Sequence, residues 1–466
     1  MKHIKSRTPE IEIPEDNPFQ NDRLERRQLC DILTDVVSFY GQSGCVMAIC
    51  GDWGTGKTTF VKMWQQHLKC NSFKTLYFNA WSSDYTNDPL MALISELGEL
   101  SPNSPTINKL ASAGARIGLS FASSFIKMLT GIDARAINEA ITEASDIGKE
   151  YLKKFADQKN TLYDFKNNLQ QYIAENAAQH PVVFFIDELD RCNPHYSVAV
   201  LERIKHLFDI PNIIFVLAIN KHELEHAIQG YYGSSKINAC EYLRRFIDIE
   251  YALPQPKIEE YCRILYKEYD FDDFFSKRSS ITEGKSFEKF SKAIFEAHQT
   301  NLRQMDRIYA YTRLALMQFN VLTNFYPNIF FLLCFWKITD HEFYNEIKNK
   351  NISCQELLEK LEYKLPKILL ESDSDNGCKY YFETEYTIAY LLCSYDIMNV
   401  PLQNDPTIKR EANARSGKIE YNLKAKYIKN DALYGAIKFY QERSIHIRYG
   451  LETIFQRIEL LSKFSS

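Results

Sequence analysis

The sequence predicts an α/β fold, with a parallel sheet covered by helices on both faces and a mostly α-helical region after it. Three observations predict it. First, Val182-Val183-Phe184-Phe185-Ile186 and Ile213 to Ile219 are apolar throughout, as strands buried on both faces of a parallel sheet require. Second, the short apolar run Val46 to Cys50 lacks a helical period and leads into a glycine-rich turn. Thr59 to Lys69 follows with Phe60, Val61, Trp64 and Leu68 at helical spacing, so strand, turn and helix come in the order from which such sheets are built. Third, strand patterns thin out after Cys262 and helical ones dominate to the C-terminus.

The 466 residues allow two to four domains at ordinary domain size. A charged fraction of 25%, a hydrophobic fraction of 45% and a net charge of −4 describe a globular chain and argue against wholesale nucleic-acid binding. The 11 cysteines form no C-x-x-C pair, which suits a reducing cytosol better than a disulfide framework or a zinc cluster. Met1 to Glu10 is polar and charged, without the apolar core of a secretion signal. The expected location is cytoplasmic.

Residues 1–15 read as a flexible lead, and Asp16-Asn17-Pro18-Phe19 as a turn. Asp22-Arg23-Leu24-Glu25-Arg26 then opens a helix predicted to run to about Tyr40, with Leu29, Ile32, Leu33, Val36 and Val37 on one face. Its start, Arg23 and Leu24, is a candidate wall for a nucleotide base, although a plain packing helix would show the same pattern.

The turn after the first strand, Gly51-Asp52-Trp53-Gly54-Thr55-Gly56-Lys57-Thr58, fits G-x-x-x-x-G-K-[ST] at every specified position. Glycines let the backbone close around an anion, the helix N-terminus points free N–H groups at it, and Lys57 adds a mobile positive charge. Thr58 is the candidate Mg²⁺ ligand, and Thr59 extends the binding segment into the helix. A glycine-rich turn that binds nothing would not need strand, lysine and hydroxyl together.

Thr75 to Asn79 reads as a second strand, followed by Ala80-Trp81, a polar turn to Pro89 and a helix from about Leu90 to Leu100. Residues 103–160 are helical and Ala/Ser-rich, and read as an insertion. Within it Leu110 to Thr130 is small and apolar but interrupted by Arg116 and Lys127, while Ile329 to Trp336 is too short to cross a bilayer. Both read as buried or amphipathic helices.

The strand from Pro181 to Ile186 ends in Asp187-Glu188. An acid at the carboxyl end of such a strand can hold the water shell of Mg²⁺, and a following glutamate can orient or deprotonate an attacking water. A helix from Ser197 to Phe208 leads to the strand that ends at Asn220, a candidate to touch the γ-phosphate or that water. Arg303 and Arg307 stand one turn apart on a later helix, able to bring guanidinium onto a phosphate. Arg244 and Arg245 form a second candidate pair. Arg191, beside the metal acids, is expected to pair with Asp187 or Asp190.

Two patterns compete with this reading. His222-Glu223-Leu224-Glu225-His226 matches the zinc-protease pattern H-E-x-x-H, yet no recognisable third ligand follows. Asn220-Lys221-His222-Glu223 approximates a guanine reader, yet Asp187-Glu188-Leu189-Asp190 stands where a GTPase would show D-x-x-G. ATP is therefore the expected nucleotide.

These residues resemble the KAP P-loop NTPases, within the class that places an additional sheet strand between the phosphate loop and the metal strand. The resemblance rests on Gly51 to Thr58 in the form G-x-W-G-x-G-K-T, on Phe78-Asn79-Ala80-Trp81, and on Ile186-Asp187-Glu188-Leu189-Asp190-Arg191-Cys192. Ile204 to Phe208 and Ala218-Ile219-Asn220 carry it further, with Tyr242-Leu243-Arg244-Arg245-Phe246 and Leu253-Pro254. Asp22-Arg23-Leu24 is similar to the family's lead-in and Asn301 to Arg307 to its post-core helix, so the likeness spans roughly residues 16–345. Family members commonly place aspartate at both Glu188 and Asn220. Glutamate keeps the base role, and asparagine makes its position look more like the sensor of AAA+ ATPases. Many members carry transmembrane helices where residues 103–160 stand here.

The resemblance implies a Mg²⁺-dependent ATPase whose cycle drives conformational change or assembly, with ATP and Mg²⁺ as cofactors and Glu188, Lys57, Asn220 and Arg303 in catalysis. It implies a homo-oligomer or a partner protein, and for bacterial relatives a role in antiphage defence. The competing expectation is a nucleotide-gated oligomeric scaffold with slow turnover. The expected domains are a P-loop core over 16–255, a lid-like helical domain over 256–345 and a C-terminal helical domain over 346–466.

Overall fold

The computed structural model describes residues 11–120, 146–177, 179–277, 281–317, 327–370, 378–398, 408–410, 419–442 and 450–462. The chain divides into two compact units, one of residues 11–255 and one containing residues 256–466.

The first unit is built on five parallel strands: β1 (Cys45–Cys50), β2 (Thr75–Asn79), β3 (Val182–Asp187), β4 (Ile213–Ile219) and β5 (Ile249–Ala252). Their order is β2-β3-β4-β1-β5. The additional strand expected between the phosphate-loop strand and the metal strand is therefore β4. Register brings Cys50 opposite Ile219 and Asp187 opposite Ala218, so the loop after β1 and the ends of β3 and β4 gather at one carboxyl edge, where open parallel sheets bind ligands.

Alternation along the buried strands feeds two cores. Val183 and Phe185 of β3 join one face; Val182, Phe184 and Ile186 join the other. The first face is covered by α1 (Arg27–Tyr40) and α2 (Lys57–Cys70). On α2 the buried stripe is Phe60, Val61, Trp64 and Leu68, as the spacing predicts, with Met63 added.

The expected start of α1 is corrected. Asp22 accepts hydrogen bonds from the backbone N–H groups of Leu24 (3.0 Å) and Arg26 (2.6 Å), and Glu25 takes φ 53°. These hold residues 22–26 as a turn, and the helix begins only at Arg27. Its buried stripe is Cys30, Leu33 and Val37, while Ile32, expected on that face, is 53% exposed. Cys30 acts as the apolar centre of the stripe and rotates it away from Ile32.

The opposite face carries α3 (Ala80–Ser83), α4 (Pro89–Leu97), α5 (Pro105–Ser120), α6 (Asp146–Ala177), α7 (Pro194–Leu207), α8 (Lys221–Tyr232) and α9 (Ala239–Leu243). Helices α5 and α6 pack on each other, and α6 runs to Ala177, past the 103–160 expected for an insertion. Ile107, Leu110, Ala113 and Ile117 share a core with Leu162, Phe165 and Leu169, and the Tyr172 hydroxyl donates to the Leu97 carbonyl at 2.8 Å. Part of the Leu110 to Thr130 segment lies outside the described residues. Among the described residues no helix is long and apolar enough to cross a membrane.

The second unit contains eleven described helices: α10 (Ile258–Glu268), α11 (Phe271–Ser276), α12 (Ile281–Ala297), α13 (Leu302–Met317), α14 (Pro327–Thr339), α15 (His341–Lys348), α16 (Cys354–Lys364), α17 (Lys367–Leu370), α18 (Cys378–Asp396), α19 (Asn430–Glu442) and α20 (Leu451–Ser462). It also contains the antiparallel pair β6 (Ile408–Arg410) and β7 (Ile419–Tyr421). Helix α13 packs on both α14 and α20. The apolar stretch Ile329 to Trp336 is a buried part of α14. Tyr309 of α13 is fully buried among the rings of Phe271, Phe287, Phe295 and Phe331, and its hydroxyl meets Cys262 Sγ at 2.8 Å and Ser291 Oγ at 2.6 Å.

Candidate nucleotide site

Gly54 and Gly56 both take φ 83°, the left-handed region that a side chain makes costly. Gly56 is the N-cap residue of α2, so the helix start with its free N–H groups closes the loop. Lys57 Nζ donates to the loop's own carbonyls, Gly51 O at 2.5 Å and Asp52 O at 3.0 Å, and Thr55 Oγ1 donates to Asp52 O at 2.8 Å. The ammonium is thus folded into the loop. Burial lowers its pKa; Asp190, Asp187 and Asp52 oppose that shift, and Arg191 adds to it. The Gly51 N–H donates to Ile219 O at 3.1 Å, fixing the loop to the end of β4. Thr59 lies in the first turn of α2.

Asp187 is 1% exposed. Its carboxylate accepts from the Tyr77 hydroxyl at 2.9 Å and from the Glu188 N–H at 2.8 Å. Burial raises its pKa, and Thr58, Tyr77 and the Glu188 N–H pull it back. A buried carboxylate with the Thr58 hydroxyl near enough to lower its pKa offers the hard oxygens that suit Mg²⁺.

Glu188 stands at φ 60°, an unusual conformation for a residue other than glycine. Both its oxygens are engaged. Asn79 Nδ2, at the end of β2, donates to Oε2 at 3.0 Å, and Arg191 Nη1 lies 2.8 Å from Oε1. The Arg191 guanidinium in turn sits 5.6 Å from the centre of the Trp81 ring. The expected pairing of Arg191 with Asp187 or Asp190 is thereby corrected. Leu189–Arg191 forms a 3₁₀ turn, in which residues three apart eclipse one another, and this carries Arg191 over Glu188. Asp190 instead accepts from Trp53 Nε1 at 2.6 Å and ties the phosphate loop to the acidic segment.

Asn220 is buried at the end of β4. Its side-chain oxygen caps α8 by accepting from the Glu223 N–H at 3.5 Å. In the lead-in the residue that touches the loop is Arg26, which the sequence reading did not single out. Arg26 Nη2 donates to Thr55 O at 2.8 Å and to Pro254 O at 3.4 Å, and Nη1 donates to Gly56 O at 3.1 Å. Burial lowers its pKa to about 10 against the opposing charge of Asp22. Arg23 and Leu24 are half-buried in the same turn. The available signal was the Asp22-to-Arg26 spacing, which reads equally well as a helical ion pair.

Arg26→Ala would take a donor from the Thr55 and Pro254 carbonyls, while Gly56 O keeps the Phe60 N–H at 3.0 Å, so the protein should lose about 1–3 kcal/mol of stability and part of its nucleotide affinity. Thermal melting with and without ATP checks both. An unchanged melting curve in both conditions would remove Arg26 from the loop's support.

Arg244 Nη1 lies 3.0 Å from Glu241 Oε2 at an exposed position, and Arg245 is exposed. Arg303 is exposed on α13 in the second unit, and Arg307 lies over Tyr311, 5.5 Å from the ring centre.

The sequence matches the KAP family P-loop domain over residues 25–317. No curated protein matches it. Two solved structures of the Aeropyrum pernix ORC2 protein are similar. Its ADPNP-ADP complexes show 13% identity over 91% of this chain and 95% of that chain, with a TM-score of 0.34. Its ADP form shows 12% identity over 94% and 96%, with a TM-score of 0.33. Likeness at that level says nothing about activity. The family match covers the strand, loop and helix at β1, the acids at the end of β3 and the strand between them: the chain belongs to the KAP family of P-loop NTPases, a family of nucleotide-binding proteins.

Proposed function

We propose that this protein is a Mg²⁺-dependent ATPase whose cycle of binding and hydrolysis drives conformational change or assembly. The observation that carries the reading is the hydrogen bond from Trp53 Nε1 to Asp190 at 2.6 Å. It ties the loop that carries Thr58 to the segment after β3 that follows the buried Asp187; Thr58 and Asp187 are the two groups that would hold Mg²⁺. Bound there, Mg²⁺ would neutralise charge on the β- and γ-phosphates. Lys57 would leave the Gly51 and Asp52 carbonyls for the phosphate oxygens, and the N–H groups at the start of α2 would bind the same charge. Glu188 would take a proton from water as its oxygen bonds to the γ-phosphorus and the bond to the β-bridging oxygen breaks, giving ADP and inorganic phosphate. Asn220, at the end of β4, would orient that water. In this reading Arg303 supplies charge to the γ-phosphate, and the active form is a homo-oligomer or a complex with a partner protein.

A second reading, a nucleotide-gated scaffold with slow turnover, draws on the two contacts to Glu188. A carboxylate held by Asn79 on one oxygen and Arg191 on the other must give up at least one contact before it can serve water. Single-turnover phosphate release by the purified protein, alongside native mass with and without a non-hydrolysable ATP analogue, separates the readings. Fast release supports the ATPase. Release no faster than the uncatalysed reaction, with assembly on the analogue, supports the scaffold.

The restraint on Glu188 is itself testable. Asn79→Ala removes one bond to a charged group, worth about 1.5 kcal/mol, and should raise basal turnover about tenfold. A fall of similar size would make Asn79 a residue that holds the base in its working position.

A further inference from the structure

The H-E-x-x-H pattern is unused by the nucleotide site. In the structure it occupies the first turns of α8, and ligand atoms of His222, Glu223 and His226 all lie within 4.8 Å of one another. His226 Nδ1 is 3.8 Å from Glu223 Oε2, too far for a hydrogen bond, and the two imidazole rings stand 4.3 Å apart at 88°. Helix geometry explains the grouping. His222 and His226 are four residues apart and Glu223 and His226 three apart, so His226 neighbours both other donors.

We propose that α8 carries a surface site for one borderline divalent transition-metal ion of the Zn²⁺ class, bound by the imidazoles of His222 and His226 and the carboxylate of Glu223. Two imidazoles and one carboxylate select Zn²⁺, Co²⁺, Ni²⁺ or Cu²⁺ over Mg²⁺, so the ion is distinct from the one expected at Thr58 and Asp187. Ligands about 2.0–2.1 Å from a tetrahedral Zn²⁺ lie roughly 3.4 Å from each other, and the His226–Glu223 separation is already close to that. The positive end of the α8 dipole opposes a cation; the charge of Glu223 offsets it.

The same geometry argues against a peptidase. A zinc peptidase keeps the glutamate of this pattern free as a base, whereas here Glu223 is a ligand. The ion would also close the turn that Asn220 caps, next to Ile219, whose carbonyl holds the Gly51 N–H. It would therefore brace the strand end to which the phosphate loop is fixed.

The test uses the chelator-stripped full chain in excess Mg²⁺, titrated with Zn²⁺ by calorimetry and with Co²⁺ by visible absorption. One equivalent of each should bind, the cobalt form giving the intense visible bands of low coordination number. His226→Ala should weaken binding at least about a hundredfold, since even outer contacts to metal ligands are worth about 10–100-fold. His222→Ala and Glu223→Gln should each weaken it as well. All three side chains are at least partly exposed, so the variants should fold, and ATP binding by chelator-stripped His226→Ala should match that of the chelator-stripped wild type. Equal uptake by the wild type and His226→Ala would place the ion elsewhere and overturn the site, as would no uptake at high excess of ion. Either result is independent of whether the protein hydrolyses ATP.

Discussion

Glu188→Gln is expected to bind ATP with near-wild-type affinity and to lower hydrolysis about 10²–10⁴-fold, the usual contribution of a positioned general base. The amide keeps the size of the carboxylate but cannot accept the proton that water loses. It also changes the two contacts that hold the side chain. An amide oxygen can accept from only one of Asn79 and Arg191 at full strength, and the amide NH₂ must face the other donor. The variant should therefore trap ATP, seen as a long-lived complex in filter binding with no phosphate released. If the base role is right, adding Asn79→Ala to Glu188→Gln restores nothing, because a freed amide is still no base. Normal turnover in Glu188→Gln would refute that role, and another group would have to take the proton from water.

The parts of the fold most legible in the sequence were those where one physical requirement dominates. Strands β3 and β4 are buried on both faces, so their residues are apolar without interruption; Ile213 to Ile219 was read as it stands. The phosphate loop was legible because closing a backbone around an anion restricts which residues fit. The start of α1 was not. Asp22 can cap a turn or open a helix, and only the fold selects the turn. Arg26 was invisible for a related reason. Its partners are backbone carbonyls 29, 30 and 228 residues away, and a carbonyl leaves no mark on residue type. Arg191 was read as a partner for neighbouring acids, but a 3₁₀ turn chose Glu188. Helices α5 and α6 showed through composition, while their pairing depends on contacts that no local pattern encodes.

The same difference between a residue's type and its partners reshapes the expected behaviour of Lys57→Ala. In sequence, Lys57 reads as a mobile charge in a loop, whose removal should cost affinity and leave the nucleotide-free protein unchanged. In the structure it is 8% exposed and bonded to Gly51 O and Asp52 O, so two carbonyls lose a charged donor. That loss is offset by relief of the burial that lowers the lysine pKa, and the nucleotide-free melting temperature should fall by a few degrees at most. The effect on binding is larger. ATP brings its charge to the place where burial, Asp187 and Asp190 already make the ammonium's environment sensitive, and removing one partner of such a pair costs about 2–5 kcal/mol, roughly thirty- to several-thousand-fold in Kd. The decisive readout is the stabilisation that ATP confers, which scales as RT ln(1 + [L]/Kd). It should be present in the wild type and nearly absent in Lys57→Ala at the same ATP concentration. Equal stabilisation of both proteins would mean that ATP binds away from Lys57, and the nucleotide site would have to be sought outside the Gly51 to Thr58 loop.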